Sequence, residues 1–198
     1  HNSAFSPLDN EAARFVRAFK SINNDLNVHV YNKEKRFFLF SGADLERWLL
    51  KTAINLFRCG YSSIRRPQYN ITQGVESFLY KEDWPPLMGL YFAVSEKNLK
   101  FTSKSSVDVS LIHSKYIVSG IEMSLFGLPL VLLFGQPNNL NADVLKEEFG
   151  YLRPNFLVFF RGDHIYTICL AWKNPGLKTD VYISYEDEQA EIPRGIFL

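Results

Sequence analysis

The sequence is poor in the residues that build common metal and nucleophile sites. It has two cysteines, two methionines and four histidines among 198 residues. Cys59 and Cys169 lack metal-ligand spacing, so two free thiols are favoured over one disulfide. With so few histidines, a metal site in this chain would also need carboxylates. The composition therefore predicts no cofactor within these residues.

Several catalytic motifs are also absent. The sequence has no Gly-rich phosphate loop, no His-Glu-x-x-His, no Gly-x-Ser-x-Gly and no dinucleotide fingerprint. Its longest apolar stretch, 121–135, is interrupted by Glu122 and by Gly127-Leu128-Pro129, which predicts strands rather than a membrane span. We expect a cytoplasmic protein with no membrane partner, and we do not expect this chain alone to be an enzyme.

Apolar and aromatic residues are abundant. Hydrophobic residues make up 46% of the chain and aromatic residues 15%, which is enough for a buried core and excludes wholesale disorder. The 17 phenylalanines and ten tyrosines favour packed sheets over a helical bundle. The sequence begins at His1, and methionine occurs only at Met88 and Met123. We therefore expect an upstream segment that carries the chemistry of the parent protein.

The net charge of +1 conceals an uneven distribution. Residues 1–70 hold eleven Lys or Arg and six Asp or Glu, whereas residues 71–198 hold eleven and fifteen. A basic end of this kind is typical of a surface that faces a polyanion, although ordinary surface variation explains it equally well.

The first part of the chain predicts helix, hairpin and helix. Asp9 is the expected N-cap of a helix over 10–22, on which Arg14, Arg17 and Lys20 form a basic row. Strands over 28–31 and 36–40 predict a hairpin. A second helix over 43–58 begins at a cap, Ser41 or Asp44, and turns four polar residues towards water. These four are Glu46, Arg47, Lys51 and Asn55.

The chain becomes rich in strands from residue 87 onward. Strands are predicted over 88–94, 107–113, 116–125, 129–134, 156–160, 165–172 and 181–185, with a helix over 142–149 capped by Asn141. Short turns between successive strands favour antiparallel pairing. We predict an α+β fold with a mostly antiparallel sheet, in which a basic part (1–86) and a β-rich part (87–198) pack together as one domain.

Two segments resemble a known group of proteins. The residues His1-Asn2-Ser3-Ala4-Phe5-Ser6-Pro7-Leu8-Asp9 and, later, Glu46-Arg47-Trp48-Leu49-Leu50-Lys51 resemble bacterial HNH-like proteins with a zinc-ribbon or treble-clef head. The resemblance implies that the metal-bearing head lies upstream and that the parent is a metal-dependent nuclease. It also implies that His1 and Asn2 are ligands for zinc or another divalent metal only when that head is present.

Three hypotheses of function follow. In the first, the chain is the non-catalytic C-terminal domain of an HNH-type nuclease-like protein and helps to position DNA or RNA or to sense its target. The phosphate-binding residues would be Arg14, Arg17, Lys20, Arg58, Arg65 and Arg66.

The second hypothesis is an interaction or sensor module without a nucleic-acid role, which binds a protein or small ligand on an aromatic-rich sheet. Its candidate contacts are Tyr91, Tyr116, Trp172 and Tyr182. The third is a self-contained hydrolase, which would require a cleft that gathers His113, Asp108, Glu122 and His164.

Overall fold

The computed structural model describes most of the chain, with gaps. The described residues are 6–24, 35–59, 70–80, 84–93, 107–115, 117–125, 128–135, 141–161, 164–173 and 181–185. Two long helices are present, α1 (Ser6–Asn24) and α2 (Gly42–Cys59). The strands are β1 (Lys35–Ser41), β2 (Asn70–Ile71), β3 (Gly89–Ala93), β4 (Val107–Ser114), β5 (Ile117–Leu125), β6 (Leu128–Leu133), β7 (Tyr151–Leu152), β8 (Phe156–Arg161), β9 (His164–Ala171) and β10 (Val181–Tyr185).

Helix α1 begins earlier than its predicted cap. Asp9 lies within the first turn, and its carboxylate accepts hydrogen bonds from Lys51 Nζ at 2.6 and 2.7 Å. The prediction of Asp9 as N-cap is therefore wrong, because its side chain bonds α2 instead of the α1 backbone. The predicted apolar stripe of α1 does form the buried face, with Phe15, Phe19 and Ile22 each at most 3% exposed.

Helix α2 matches its predicted bounds within a residue at each end. Ser41 Oγ accepts the backbone N–H of Asp44 at 3.2 Å, which identifies Ser41 as the capping side chain. Leu45, Leu49 and Ala53 are buried along the predicted face. Glu46 was predicted to face water and is instead 4% exposed, so that prediction is wrong.

The described strands form two sheets. A four-stranded sheet has the order β1-β9-β8-β10, in which β8 and β9 form an antiparallel hairpin and β1 and β10 add in parallel at the two edges. A six-stranded sheet has the order β2-β5-β6-β3-β7, with β4 also paired to β5. The α+β prediction is confirmed, but the sheets are mixed: the pairs β1–β9, β10–β8 and β2–β5 are parallel.

Strand β1 pairs with a strand that is distant in the sequence. Its partner among the described residues is β9, which runs parallel to it in a register that joins Phe38 to Ile168 and Phe40 to Leu170. The predicted hairpin between 28–31 and 36–40 stays a prediction, because residues 28–31 lie outside the described part of the chain. The pairing with β9 was not predicted, since apolar alternation specifies which face of a strand is buried and leaves its partner unspecified.

The main core lies between the helices and the sheets. Phe19 of α1 meets Phe159 of β8 edge to face, with ring centroids 5.6 Å apart, and Phe15 meets Phe40 at 5.3 Å. Residues from both predicted parts of the chain share this single apolar cluster. Within the described residues, no helix combines the length and the apolar character needed to cross a membrane.

Candidate functional site

An open groove runs between helix α1 and the edge strand β1. Its volume is about 390 Å³, and we call it the α1–β1 groove. The helix runs antiparallel to the strand, because Glu11 contacts Ser41 at one end and Arg14 contacts Leu39 further along. The groove is lined by Arg14, Arg17, Ala18 and Ser21 from α1 and by Phe37, Phe38, Leu39 and Phe40 from β1.

Two side chains of α1 form hydrogen bonds with backbone groups of β1. The carboxylate of Glu11 accepts the backbone N–H of Ser41 at 2.7 Å, and Arg14 donates to the carbonyl of Leu39 at 3.3 Å. Glu11 also accepts from Arg14 at 2.5 Å, and the Arg14 guanidinium lies 5.4 Å from the centroid of the Phe40 ring. Arg14, one of the predicted phosphate-binding residues, is therefore held in place by an ion pair with Glu11, a hydrogen bond to a backbone carbonyl and contact with an aromatic ring.

The groove is strongly basic beyond Glu11. The described residues of α1 after Glu11 and all of β1 contain only cationic charges, and these are Arg14, Arg17, Lys20, Lys35 and Arg36. Arg17 lines the groove, whereas Lys20 is exposed on the neighbouring flank of the helix, because three residues advance a helix by about 300°. The structure thus brings Arg14 and Arg17 into one groove and keeps Lys20 beside it.

The other predicted site residues lie elsewhere. Arg58 is near the end of α2, about 24 Å along the helix from Gly42, where it pairs with Glu76 at 3.2 Å. It therefore does not join the α1–β1 groove. Arg65 and Arg66, and the predicted metal ligands His1 and Asn2, lie outside the described residues.

The open face of the four-stranded sheet was not anticipated from the sequence. Phe37 is 70% exposed and Leu39 is 66% exposed, although Phe40 on the opposite face of β1 is buried. Phe156 and Phe160 of β8 are also exposed. A signal was present in the run Arg36-Phe37-Phe38-Leu39-Phe40, which is apolar on both faces of a strand and follows directly on cations.

A buried ion pair lies in the interior of the molecule. Arg153 and Glu46 are 1% and 4% exposed, and Arg153 donates from its guanidinium to Glu46 Oε1. The same oxygen accepts the backbone N–H of Leu90 at 2.9 Å. Burial raises the pKa of Glu46, while the positive charge of Arg153 and the Leu90 N–H act in the opposite direction. The pair joins α2, β3 and the segment after β7.

Aromatic rings enclose the Arg153 guanidinium. It lies 4.6 Å from the ring centroid of Trp172 and 5.8 Å from that of Tyr91. Trp172 Nε1 donates to the carbonyl of Pro154 at 2.8 Å. A Cβ atom on Gly42 would lie 2.5 Å from Cζ3 and 2.6 Å from Cδ2 of Trp172, so any larger residue there would require the Trp172 ring to shift. Because the pair is enclosed in this way and links three segments, we assign it a role in stabilising the fold.

The described residues of the two other hypotheses are spread over different parts of the fold. Tyr91 is fully buried, Trp172 is half-buried against Arg153, and Tyr116 and the side chain of Tyr182 lie outside the described residues. For the hydrolase, Glu122 lies in β5 and His164 lies in β9 of the other sheet. Among the described residues, no group of three or more His, Cys, Asp or Glu side chains is arranged to hold a metal ion.

Comparisons with known proteins leave the family open. No protein-family model matches the chain. No curated protein and no solved structure gives a significant match.

Proposed function

We propose that this chain binds nucleic acid through the α1–β1 groove, as the non-catalytic, positioning part of an HNH-type nuclease-like protein. The observation that supports this most directly is the charge of the groove: Arg14 and Arg17 line it, and Lys20 and Lys35 flank it. None of the described lining residues of the groove is a carboxylate, and Glu11, which bonds the β1 edge and Arg14, lies next to them. A cationic surface of this kind attracts the phosphates of a polyanion.

The dimensions of the groove fit a short stretch of phosphate backbone. Between Arg14 and Ser21 the helix rises about 10 Å, and the four lining residues of β1 span about the same length. A length of this order accommodates a few phosphates. Contacts with about three phosphates give a salt dependence of the binding constant with a logarithmic slope of roughly −2 for a single strand. Because such contacts carry no sequence information, the binding is expected to be non-specific.

The test is binding of a fluorescently labelled oligonucleotide, measured by fluorescence anisotropy over a range of salt concentrations. We expect the double variant Arg17→Glu, Lys20→Glu to weaken binding and to flatten the salt dependence. Two phosphate contacts are lost, so the slope should change by roughly 1.4 for a single strand.

A matched control separates a local site from general electrostatics. Lys146→Glu reverses one exposed charge on the turn after Asn141, on the six-stranded-sheet side of the molecule. It should change the affinity far less than Arg17→Glu alone. Equal effects of Arg17→Glu and Lys146→Glu, or no measurable binding by the unmodified chain, would contradict the proposed function. Reversal of Arg65 and Arg66 tests the remaining predicted contacts in the same assay.

A further inference from the structure

The four-stranded sheet has one apolar face that is not covered by α1 or α2. Register places Leu39, Cys169 and Phe156 side by side across β1, β9 and β8, and it places Lys35, Ile165 and Phe160 in a second row. Side chains that are paired in this way point to the same face of a sheet. The buried residues Phe40 and Phe159 have the opposite parity, so they face the helices.

This face is exposed and nearly uncharged. Phe37 and Leu39 are 70% and 66% exposed, and Phe156 and Phe160 are 42% and 37% exposed. Lys35 supplies a positive charge in the same row as Phe160, and none of the described positions of this face in β1, β9 and β8 is a carboxylate. The middle row joins Phe37, Thr167 and Val158, and its central Thr167 is only 8% exposed, so the exposed apolar surface lies around that position. Exposed apolar surface of this kind marks a binding site.

The apolar face is continuous with the basic groove. Phe37 and Leu39 belong to both, because they line the α1–β1 groove beside Arg14 and Arg17 and also project from the open face of the sheet. The molecule thus presents flat rings directly next to cations. A ligand that spans both needs a negatively charged backbone and planar apolar groups, which is the chemistry of a nucleic acid with unstacked bases.

We propose that the open face of the four-stranded sheet stacks the bases of single-stranded nucleic acid, while the α1–β1 groove holds the phosphates. The inference rests on the proposed nucleic-acid function and adds a substrate class to it. Paired bases in a duplex already stack on each other and cannot reach Phe37, so a single strand binds more tightly than a duplex. The rows from Lys35 to Leu39 span about 13 Å and the strands from β1 to β8 about 10 Å, which is room for two or three bases.

The experiment compares a labelled oligothymidylate with a duplex of the same length by fluorescence anisotropy. We expect Phe37→Leu to weaken single-strand binding by about 5-fold or more, since stacking on one ring is lost. Duplex binding and the salt slope should not change, because no phosphate contact is removed. Phe37→Trp should restore or improve the single-strand affinity. Ile117→Ala, an exposed apolar position of the other sheet, is the matched control and should have no effect.

The outcomes distinguish this inference from the proposed function. If Arg17→Glu weakens binding but Phe37→Leu does not, the groove binds phosphates and the stacking inference is wrong. If neither variant matters, the proposed function fails with it. The alternative ligand of this face is a second copy of the chain, which sedimentation equilibrium would detect as a dimer. A dimer that Phe37→Leu preserves and Phe37→Ser disrupts would identify the face as an interface between two copies and would overturn the inference.

Discussion

The buried ion pair of Glu46 and Arg153 is expected to contribute strongly to the stability of the folded protein, and removing one of its members tests this. The variant Arg153→Met keeps an apolar stem near Trp172 and removes the guanidinium. Among the described residues, Glu46 then retains the Leu90 N–H as a hydrogen-bond partner and the charge of Arg47 as a weaker electrostatic influence. Removing one member of a buried pair costs about 3–5 kcal/mol, because the remaining charge is left without compensation.

That cost is large relative to the stability of a domain. Total free energies of unfolding are about 5–15 kcal/mol, and for a chain of this length 1 kcal/mol corresponds to a shift of about 2–4 °C in Tm. Arg153→Met should therefore lower Tm by roughly 6–20 °C in a thermal melt followed by circular dichroism. Arg153→Lys should also lose stability, because an ammonium group cannot stack flat on the Trp172 ring.

The loss of stability in Arg153→Met should also depend on pH, in a direction that follows from the pKa of Glu46. Burial raises the pKa of Glu46 above its ordinary value of 4.5, and the loss of Arg153 removes two influences that oppose this rise, its positive charge and its hydrogen bond. A carboxyl group whose pKa is raised by folding favours the folded state below that ordinary value and loses this advantage as the pH rises through the raised value. The deficit of Arg153→Met should therefore be larger at neutral pH than at pH 4.5.

A double-mutant cycle supplies the result that would refute this reasoning. Glu46→Gln alone leaves the Arg153 charge buried without a counter-ion, whereas Glu46→Gln with Arg153→Met leaves no charge and still offers the Leu90 N–H an acceptor. The double variant should lose less stability than the sum of the two single losses, by about 2 kcal/mol or more. Losses that add within about 0.5 kcal/mol would show that the two side chains are not energetically coupled.

Two further predictions concern the surroundings of this pair. Burial raises the pKa of Tyr91 to about 12, so the folded protein should lose about 1.4 kcal/mol of stability per pH unit as the pH rises from 10 towards 12, and urea denaturation of Tyr91→Phe should show a flatter profile there. A flat wild-type profile would contradict the assigned environment. Gly42→Ala places a methyl group against Trp172 and should cost about 1–3 kcal/mol, with a changed tryptophan emission spectrum; an unchanged Tm would show that the ring moves aside easily.

The local parts of the fold followed from the sequence. Helix α2 could be predicted closely, because a capping serine and a wide apolar stripe mark it within a single segment. Strands over 156–160 and 165–172 and antiparallel pairing of successive strands were predicted, and the antiparallel register of β8 and β9, which ends with Arg161 opposite His164, confirms both. In the region of the predicted helix over 142–149 the structure has a π-helical segment, Val144–Glu148, and Asn141 Oδ1 accepts the Val144 N–H at 2.9 Å, as expected of a capping residue.

The errors arose where a residue depends on a distant one. Glu46 was assigned to the water-facing side of α2, because nothing near it in the sequence indicates a partner 107 residues later. For the same reason, the pairing of β1 with β9, about 130 residues later, was not predicted. In the candidate site, the spacing of Arg14, Arg17 and Lys20 predicted the basic row. The exposure of Phe37 could not be predicted, since it depends on whether another layer covers the second face of the sheet.

The parallel pairing of β1 with β9 has a consequence for synthesis on the ribosome. Lys35 pairs with Ile165, so the first strand must wait for about 130 further residues before its partner exists. At translation speeds of about 5–20 residues per second, this delay is on the order of 6–26 s. During that time the nascent strand exposes its adjacent phenylalanines on both sides, which makes it a natural client for chaperones that shield apolar segments. Completion of the first half of the fold is thus timed by the emergence of the last third of the polypeptide.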